Sequence, residues 1–129
     1  MALITANIRR EGDVTIVDLT GRLTLGEEVA FGPGSGTLLG TVVRKLVEQG
    51  QKKIVLNLAG VTYVDSSGLG QLVSAYTTAH KSGGEVKLLN PTAPVRELLE
   101  NTRLHTIMDV KDEEAAAIKA LSASATGGN

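Results

Sequence analysis

The sequence contains no cysteine and no tryptophan, and its aromatic side chains are limited to two tyrosines and one phenylalanine. The missing thiols exclude disulfide bonds, thiol catalysis and cysteine-ligated metal sites. The scarcity of aromatic rings leaves little material for a base-stacking platform or an aromatic cage. The chain has 129 residues, the length of one domain, and its core must be built from Leu, Val, Ile and Ala.

The sequence also lacks an excess of charge of either sign and a long apolar run. Thirteen Lys and Arg residues against 14 Asp and Glu residues give a net charge of −1, which offers no electrostatic basis for binding nucleic acid. The first ten residues do not resemble a signal peptide. The most apolar region, residues 54–64, contains Asn57, Gly60 and Thr62 and is too short to span a bilayer. We therefore expect a soluble cytoplasmic protein without membrane or nucleic acid partners.

Apolar periodicity predicts a β-hairpin followed by alternating helices and strands. The predicted strands cover residues 3–8, 14–19, 54–58, 86–89 and 106–110. The predicted helices cover residues 37–49, run from Asp65 to the break at residues 82–84, begin at Thr92 with Pro94 in the first turn, and begin at Asp112. This order predicts an α/β protein, with α+β character, in which helices cover a mixed sheet. The polar residues 122–129 are expected to be a disordered tail.

Residues 64–72, VDSSGLGQL, place an acid, two hydroxyls and two glycines directly after an apolar strand. One interpretation is helix capping, in which Asp65 or Ser66 accepts hydrogen bonds from first-turn amides. Capping accounts for one acid and one hydroxyl. It does not account for two glycines, each of which costs a helix interior roughly 1 kcal/mol relative to alanine.

The helix after Asp65 carries no charged residue between Ser66 and His80. The face opposite its apolar side is small and polar, consisting of Ser67, Gly70, Gln71, Ser74, Thr77 and Thr78. The centres of protein interfaces are depleted of Lys, Glu and Asp, so this composition favours a partner-binding surface. The alternative is burial under another element of the same chain. The same face is compatible with a monomer or a weak homodimer.

A serine at the edge of such a face can act as a switch. Phosphorylation adds about −1.5 to −2 charges and three acceptor oxygens. Beside Asp65, and against a partner shaped for the hydroxyl, this charge is repelled and poorly solvated. A penalty of roughly 3–4 kcal/mol weakens binding about 100- to 1000-fold.

The motif DSSGLG after the strand IVLNL, joined to GG and LLNPTAPVRELLE downstream, resembles the STAS domain of bacterial anti-sigma factor antagonists. The resemblance covers residues 4–121, which gives a single domain of residues 1–121. It implies a small mixed sheet of four or five strands flanked by about four helices.

The resemblance also implies a function. In this family the serine after the aspartate, here Ser66, is phosphorylated by the anti-sigma factor, which is a serine kinase. The unphosphorylated antagonist holds the kinase and frees the sigma factor for transcription, and a PP2C-type phosphatase restores it. ATP and Mg²⁺ are used by the kinase, and the antagonist needs no cofactor or metal of its own. Ser67 is the less favoured acceptor. The partner surface is expected to comprise Asp65, Ser66, Ser67, Gly68, Gly70, Gln71, Ser74 and Thr77, with the glycines allowing the kinase to approach.

The passage EEVAFGPGSGTLLG, residues 27–40, is more glycine-rich than in typical relatives. Glycine-rich amides before a helix can bind anions, but the segment between Gly32 and Gly40 lacks the Lys-Ser/Thr ending of a P-loop. A flexible loop is the simpler interpretation. The alternative function is a STAS-like ligand-sensing module that binds a nucleotide or a lipid through this loop or between helix and sheet.

An enzyme with a nucleophilic serine is disfavoured. Such a serine needs a base within hydrogen-bond reach, and the only histidines are His80 and His105. His80 lies fourteen residues along the same predicted helix from Ser66, roughly 20 Å away. The acids Asp109, Asp112, Glu113 and Glu114 are interpreted as helix-start residues, and no metal-ligand spacing is present. We therefore predict a kinase substrate and no catalytic residues.

Overall fold

The computed structural model describes residues 4–24, 29–30 and 39–127. Most of the glycine-rich passage 27–40 lies outside these residues, so its predicted loop or anion-binding role stays a prediction. The described strands are β1 (Ile4–Glu11), β2 (Val14–Leu23), β3 (Val29–Ala30), β4 (Lys53–Val64), β5 (Glu85–Leu89) and β6 (Val110–Lys111). The described helices are α1 (Leu39–Glu48), α2 (Ser66–Lys81), α3 (Ala93–Asn101) and α4 (Glu114–Gly127), with a short 3₁₀ turn at Leu104–Thr106.

The strands form one sheet in the order β3-β1-β2-β4-β5-β6 within the described part of the chain. β1 and β2 are antiparallel and form the predicted hairpin. The remaining neighbours are parallel. Crossover connections that contain α1, α2 and α3 account for the parallel pairs β2–β4, β4–β5 and β5–β6. The predicted mixed sheet flanked by helices is confirmed, with four longer strands and a two-residue strand at each edge.

The helices divide between the two faces of the sheet. Buried residues of α1, α2 and α3 form the larger core with inward-facing residues of β1, β2, β4 and β5. Helix α4 packs Ala117 and Leu121 against a smaller cluster on the opposite face, formed by Val14, Ile16, Val55 and Leu89. Both described clusters are aliphatic apart from one methionine, as the composition requires.

β4 is longer than the predicted strand of residues 54–58, because its second half keeps pairing with β2 through two register shifts. Gly60 fits this irregular pairing, since a Cβ at its position would lie 2.8 Å from the carbonyl oxygen of Leu19. The Thr62 hydroxyl donates to the carbonyl oxygen of Gly21. The irregular pairing accommodates Gly60 and Thr62, which a strand pattern does not favour. It also extends β4 as far as the residue before Asp65.

Two further boundaries differ from the sequence pattern. The strand expected over residues 106–110 is reduced to Val110–Lys111, because the preceding residues form the 3₁₀ turn. Helix α4 begins at Glu114 and runs through residues 122–127 of the expected tail, while residues 128–129 lie outside the described part. Disorder of the tail stays a prediction.

No helix in the described ranges has the length and hydropathy to span a membrane.

Candidate functional site

The site is built where β2 and β4 end side by side. Leu23 and Val64 are paired at the last rung of these parallel strands, and both side chains are buried in the larger core. One residue later the chain enters α2. Parallel strands present their carboxyl ends at one edge of a sheet, the edge where ligands and partners commonly bind in α/β folds.

Asp65 fixes the start of α2 by three hydrogen bonds. Its backbone is extended (φ −95°, ψ −177°), and its Oδ1 accepts the amide of Gly68 at 2.7 Å. Its amide donates to the carbonyl oxygen of Leu23 at 3.3 Å, and its own carbonyl oxygen accepts the amide of Leu69 at 2.8 Å. The capping interpretation therefore holds for Asp65, which leaves the hydroxyl of Ser66 unused for capping.

The two serines occupy different environments. Ser66 is exposed at the first position of α2, and no hydrogen bond of its hydroxyl occurs among the described residues. Ser67 is half-buried and faces a cleft between α1 and α2. An incoming enzyme can therefore reach the Ser66 hydroxyl without displacing any described contact.

The two glycines have different causes. A Cβ on Gly68 would overlap the carbonyl oxygen of Leu23, so this glycine is required by the close approach of α2 to the end of β2. A Cβ on Gly70 would meet no atom within 4 Å, and Gly70 is exposed. Packing within the chain already accounts for Gly68. The expectation that a glycine here lets a kinase approach therefore stays a prediction for Gly70 alone.

The members of the predicted partner surface line two different depressions and the start of α2. Ser67, Gly70, Gln71 and Ser74 line a cleft of about 320 Å³ between α2 and α1, together with Thr78, Gly40, Thr41 and Arg44. Thr77 lines a neighbouring apolar groove with Tyr76, Leu104 and Ile107. Asp65, Ser66 and Gly68 lie together at the start of the helix.

Helix α1 engages part of this surface within the chain. Gln71 accepts the amide of Leu39 at 3.3 Å and donates to the carbonyl oxygen of Thr24 at 3.2 Å. A Cβ on Gly40 would lie 2.7 Å from the Ser74 hydroxyl, so the two helices meet closely there. The alternative of burial under another element is realised for Gln71, whereas Gly70 and Ser74 remain exposed.

The histidines lie away from Ser66. His80 is exposed near the far end of α2 and stacks on Tyr76, with ring centroids 5.8 Å apart. His105 is exposed, and its Nδ1 lies 3.3 Å from the carbonyl oxygen of Leu99. The described residues contain no group of three or more His, Asp or Glu side chains arranged to hold a metal ion.

Three of the four acidic residues considered above form surface ion pairs. Asp109 contacts Lys87 and Lys111, Asp112 contacts Arg96, and Glu114 contacts Arg9. The hydrogen bond from Arg9 holds the pKa of Glu114 below its ordinary value. Burial raises the pKa of Asp109, but the hydrogen bond and charge of Lys87 with the charge of Lys111 outweigh it, so the net shift is downward. Ion pairing explains these carboxylates without catalysis.

Sequence patterns did not single out a cation–aromatic pair beside the site. Arg22 and Tyr63 are partners in the β2–β4 register, one rung before Leu23 and Val64. The guanidinium carbon of Arg22 lies 5.1 Å from the centroid of the Tyr63 ring. Since Leu23 and Val64 point into the larger core, alternation puts this pair on the opposite face of the sheet. The only signal in the sequence is an arginine and a tyrosine, each just before the end of its strand.

Comparison with known proteins matches a family model for the STAS domain to residues 5–117. The anti-sigma F factor antagonist of Paenibacillus polymyxa is 37% identical over 68 residues, which are 53% of this chain and 58% of that protein. The anti-sigma-B factor antagonist of Bacillus subtilis (strain 168) is 32% identical over 74 residues, which are 57% of this chain and 67% of that protein.

Solved structures show the same fold at low identity. An anti-sigma factor antagonist from Mycobacterium paratuberculosis superposes with a TM-score of 0.73 at 18% identity, covering 92% of this chain and 94% of that one. The Bacillus cell fate determinant SpoIIAA in its phosphorylated form superposes with a TM-score of 0.63 at 19% identity, covering 90% and 98%. The chain therefore belongs to the STAS domain family, and among its members it is similar to anti-sigma factor antagonists.

Proposed function

We propose that this protein is an anti-sigma factor antagonist that works in the cytoplasm by switching partners. Unphosphorylated, it binds an anti-sigma factor serine kinase and thereby frees a sigma factor. Phosphorylation of Ser66 releases the kinase, and a PP2C-type phosphatase restores binding. The observation that carries the proposal is the exposed Ser66 hydroxyl, which stands on a rigid helix start and has no described hydrogen bond. The names of the relatives support the same function.

The geometry favours a switch at the surface. Asp65 already caps α2, so converting the Ser66 hydroxyl to a phosphate removes no described hydrogen bond of the fold. A phosphate at the first position of a helix is stabilised by the positive end of the helix dipole, which opposes its repulsion by Asp65. The free energy of the domain therefore changes little. The cost falls on a partner packed against the neutral hydroxyl, where a buried charge without a counter-ion is expensive.

The chemistry belongs to the partner. The Ser66 oxygen attacks the γ-phosphorus of ATP bound with Mg²⁺ in the kinase, its proton passes to a base of the kinase, and ADP leaves. This chain contributes an accessible and well-oriented hydroxyl, held next to the hydrogen bonds of Asp65. It acts as substrate and binding partner, and it needs no cofactor of its own.

Reconstitution with the anti-sigma factor encoded by the same organism tests the proposal. We expect phosphate on Ser66, mapped by peptide mass spectrometry, and about 100- to 1000-fold weaker binding of the phosphorylated protein in calorimetry. Ser66→Ala should bind but resist phosphorylation, and Ser67→Ala, the matched control, should still be phosphorylated. Phosphate on Ser67 alone would overturn the assignment of Ser66. Equal affinity of the phosphorylated and unmodified protein would overturn the switch.

The cleft between α1 and α2 supports a second candidate, a ligand-sensing module. Its lining combines hydroxyls and an amide with the cation Arg44, a set that suits a phosphorylated or polyhydroxylated ligand such as a nucleotide. A rise in the melting temperature with nucleotides, lost in Arg44→Ala, would favour this candidate. No shift with nucleotides or lipid headgroups would eliminate it.

A further inference from the structure

Arg22 and Tyr63 form an exposed, pre-arranged pair one rung from the end of β2 and β4. The Tyr63 side chain is 44% exposed, which is high for a large apolar ring, and Arg22 is exposed as well. Stacking on the ring restricts the long arginine side chain, so less conformational entropy remains to be lost when a ligand binds it.

Arg22 has no acidic partner among the residues that the structure describes. Five of the 13 Lys and Arg residues contact carboxylates, namely Arg9, Lys53, Lys87, Arg96 and Lys111. Among the other eight described cations, Arg22 is distinguished by its position over the Tyr63 ring. The guanidinium of Arg22 lies on an aromatic ring, with its donors available to a group outside the described residues. Its fork of N–H donors matches a carboxylate.

The pair is rigidly connected to the phosphoacceptor. The residue after Arg22 is Leu23, whose carbonyl oxygen accepts the Asp65 amide and lies against Gly68. Tyr63 precedes Ser66 by three residues, a chain length that spans at most about 10 Å. A stable protein interface covers about 800 Å² on each partner, so a kinase closed over Ser66 extends well beyond this distance.

We propose that the Arg22–Tyr63 pair is a docking contact for the anti-sigma kinase, with Arg22 binding an acidic side chain of that kinase. The inference rests on the proposed function and adds the chemistry of the partner surface. Arginine and tyrosine are enriched at interface positions that contribute strongly to binding. The pair supplies affinity and partner choice, and the phosphate on Ser66 supplies release.

The test uses the full chain with its cognate kinase at two salt concentrations. We expect Arg22→Ala to lower the affinity about tenfold and Arg22→Glu about a hundredfold, because the reversed charge repels the kinase carboxylate. Tyr63→Leu should give an intermediate loss. For phosphorylation of Ser66, the KM should rise by similar factors while kcat stays constant, since the contact is remote from the reacting atoms.

Arg10→Glu is the matched control. It makes the same change in net charge at an exposed arginine of β1, close to the hairpin turn and the other end of β2. Arg10 pairs with Thr15, which lies seven residues before Arg22 in β2, about 23 Å along the strand. We expect wild-type affinity for this control. A lysine placed at the kinase carboxylate should restore binding of Arg22→Glu.

The outcomes distinguish failure of the Arg22–Tyr63 docking contact from failure of the proposed function. If the wild-type protein neither binds nor is phosphorylated by the kinase, the proposed function fails. If the wild-type protein binds and Arg22→Glu binds equally well, the docking contact alone is wrong. It is also wrong if Arg22→Ala alters only the phosphorylated form, or if Glu27→Gln with Glu28→Gln reproduces the loss, since the charge partner then belongs to this chain.

Discussion

Gly68 and Gly70 lie two residues apart in the first turns of α2, yet their surroundings predict opposite effects of adding a methyl group. In Gly68→Ala the Cβ collides with the carbonyl oxygen of Leu23, which belongs to a buried strand end and cannot move freely. We expect a loss of about 2–3 kcal/mol in the free energy of unfolding. In Gly70→Ala the Cβ enters open space, and we expect a gain of about 0.5–1 kcal/mol. Urea unfolding of both variants measures the difference, and equal stabilities would contradict it.

Gly70→Ala also tests whether a partner packs closely against this residue. If the kinase backbone approaches Gly70, the variant should bind the kinase about tenfold more weakly although it folds more stably. Calorimetric titration of the kinase measures this effect, with Lys119→Ala on the exposed side of α4 as a control. Unchanged affinity would show that Gly70 does not serve the approach of the kinase.

At the scale of single residues, the sequence predicted the helix start at Ser66 but not the reason for every residue around it. An aspartate followed by hydroxyls indicates a helix start, and α2 begins at Ser66. The choice of Ser66 as phosphoacceptor comes from the family resemblance and stays a prediction. The role of Gly68 was not predictable, since it depends on Leu23, more than forty residues earlier in the chain. Arg22 and Tyr63 were missed for the same reason, because only the β2–β4 register brings them together.

Helix α4 is attached to its face of the sheet by a small apolar contact and by the ion pair between Glu114 and Arg9. Arg9 also contacts Asp18, so the pair connects α4 with β1 and β2. Arg9 lowers the pKa of Glu114 below its ordinary value of 4.5. This group therefore contributes stability above the unfolded pKa, and the contribution is lost as the pH falls through the folded pKa.

We predict that Glu114→Gln lowers the free energy of unfolding by about 0.5 kcal/mol at pH 7. The effect is small because about one third of each side chain of the pair is exposed to solvent, which screens the interaction. The difference from wild type should shrink as the pH falls below the ordinary glutamate pKa of 4.5 and through the lowered pKa of Glu114. Glu113→Gln, at the exposed neighbouring position, is the control and should change little. Urea titrations from pH 7 to pH 3 measure both variants. A deficit in Glu114→Gln that does not depend on pH would contradict the ion pair as its cause.

At the scale of elements, periodicity was informative where one face is buried and failed where pairing is irregular. The pattern identified α2 and the hairpin because apolar residues repeat at the spacing of a helix or a strand. The pattern predicted too short a strand for β4. Gly60 and Thr62 interrupt the apolar alternation, whereas the shifted register keeps this part of β4 paired with β2. The uncharged side of α2 was recognised as unusual, but its contact with α1 depends on helix packing that local sequence does not encode.

At the scale of the whole molecule, Ser66 is exposed at the edge of the sheet where α2 begins, and this arrangement fits the proposed switch that acts on association. Its net charge of −1 provides no general attraction or repulsion, so partner choice must come from local contacts near α2. The described buried side-chain polar atoms all have hydrogen-bond partners. The described interior therefore contains no unpaired polar side chain that would reorient toward a new charge at Ser66.

We accordingly predict that phosphorylation of Ser66 leaves the fold unchanged. The free energy of unfolding should differ by less than about 1 kcal/mol between the two forms, because the helix dipole and the Asp65 carboxylate act on the phosphate with opposite sign. Amide chemical shifts should change only at the start of α2 and along the adjoining cleft. Urea unfolding and two-dimensional NMR of stoichiometrically phosphorylated protein measure both quantities. Shift changes spread across β1, β5 and α4 would instead mean that release of the kinase requires a conformational change of the whole domain, and the surface mechanism would be wrong.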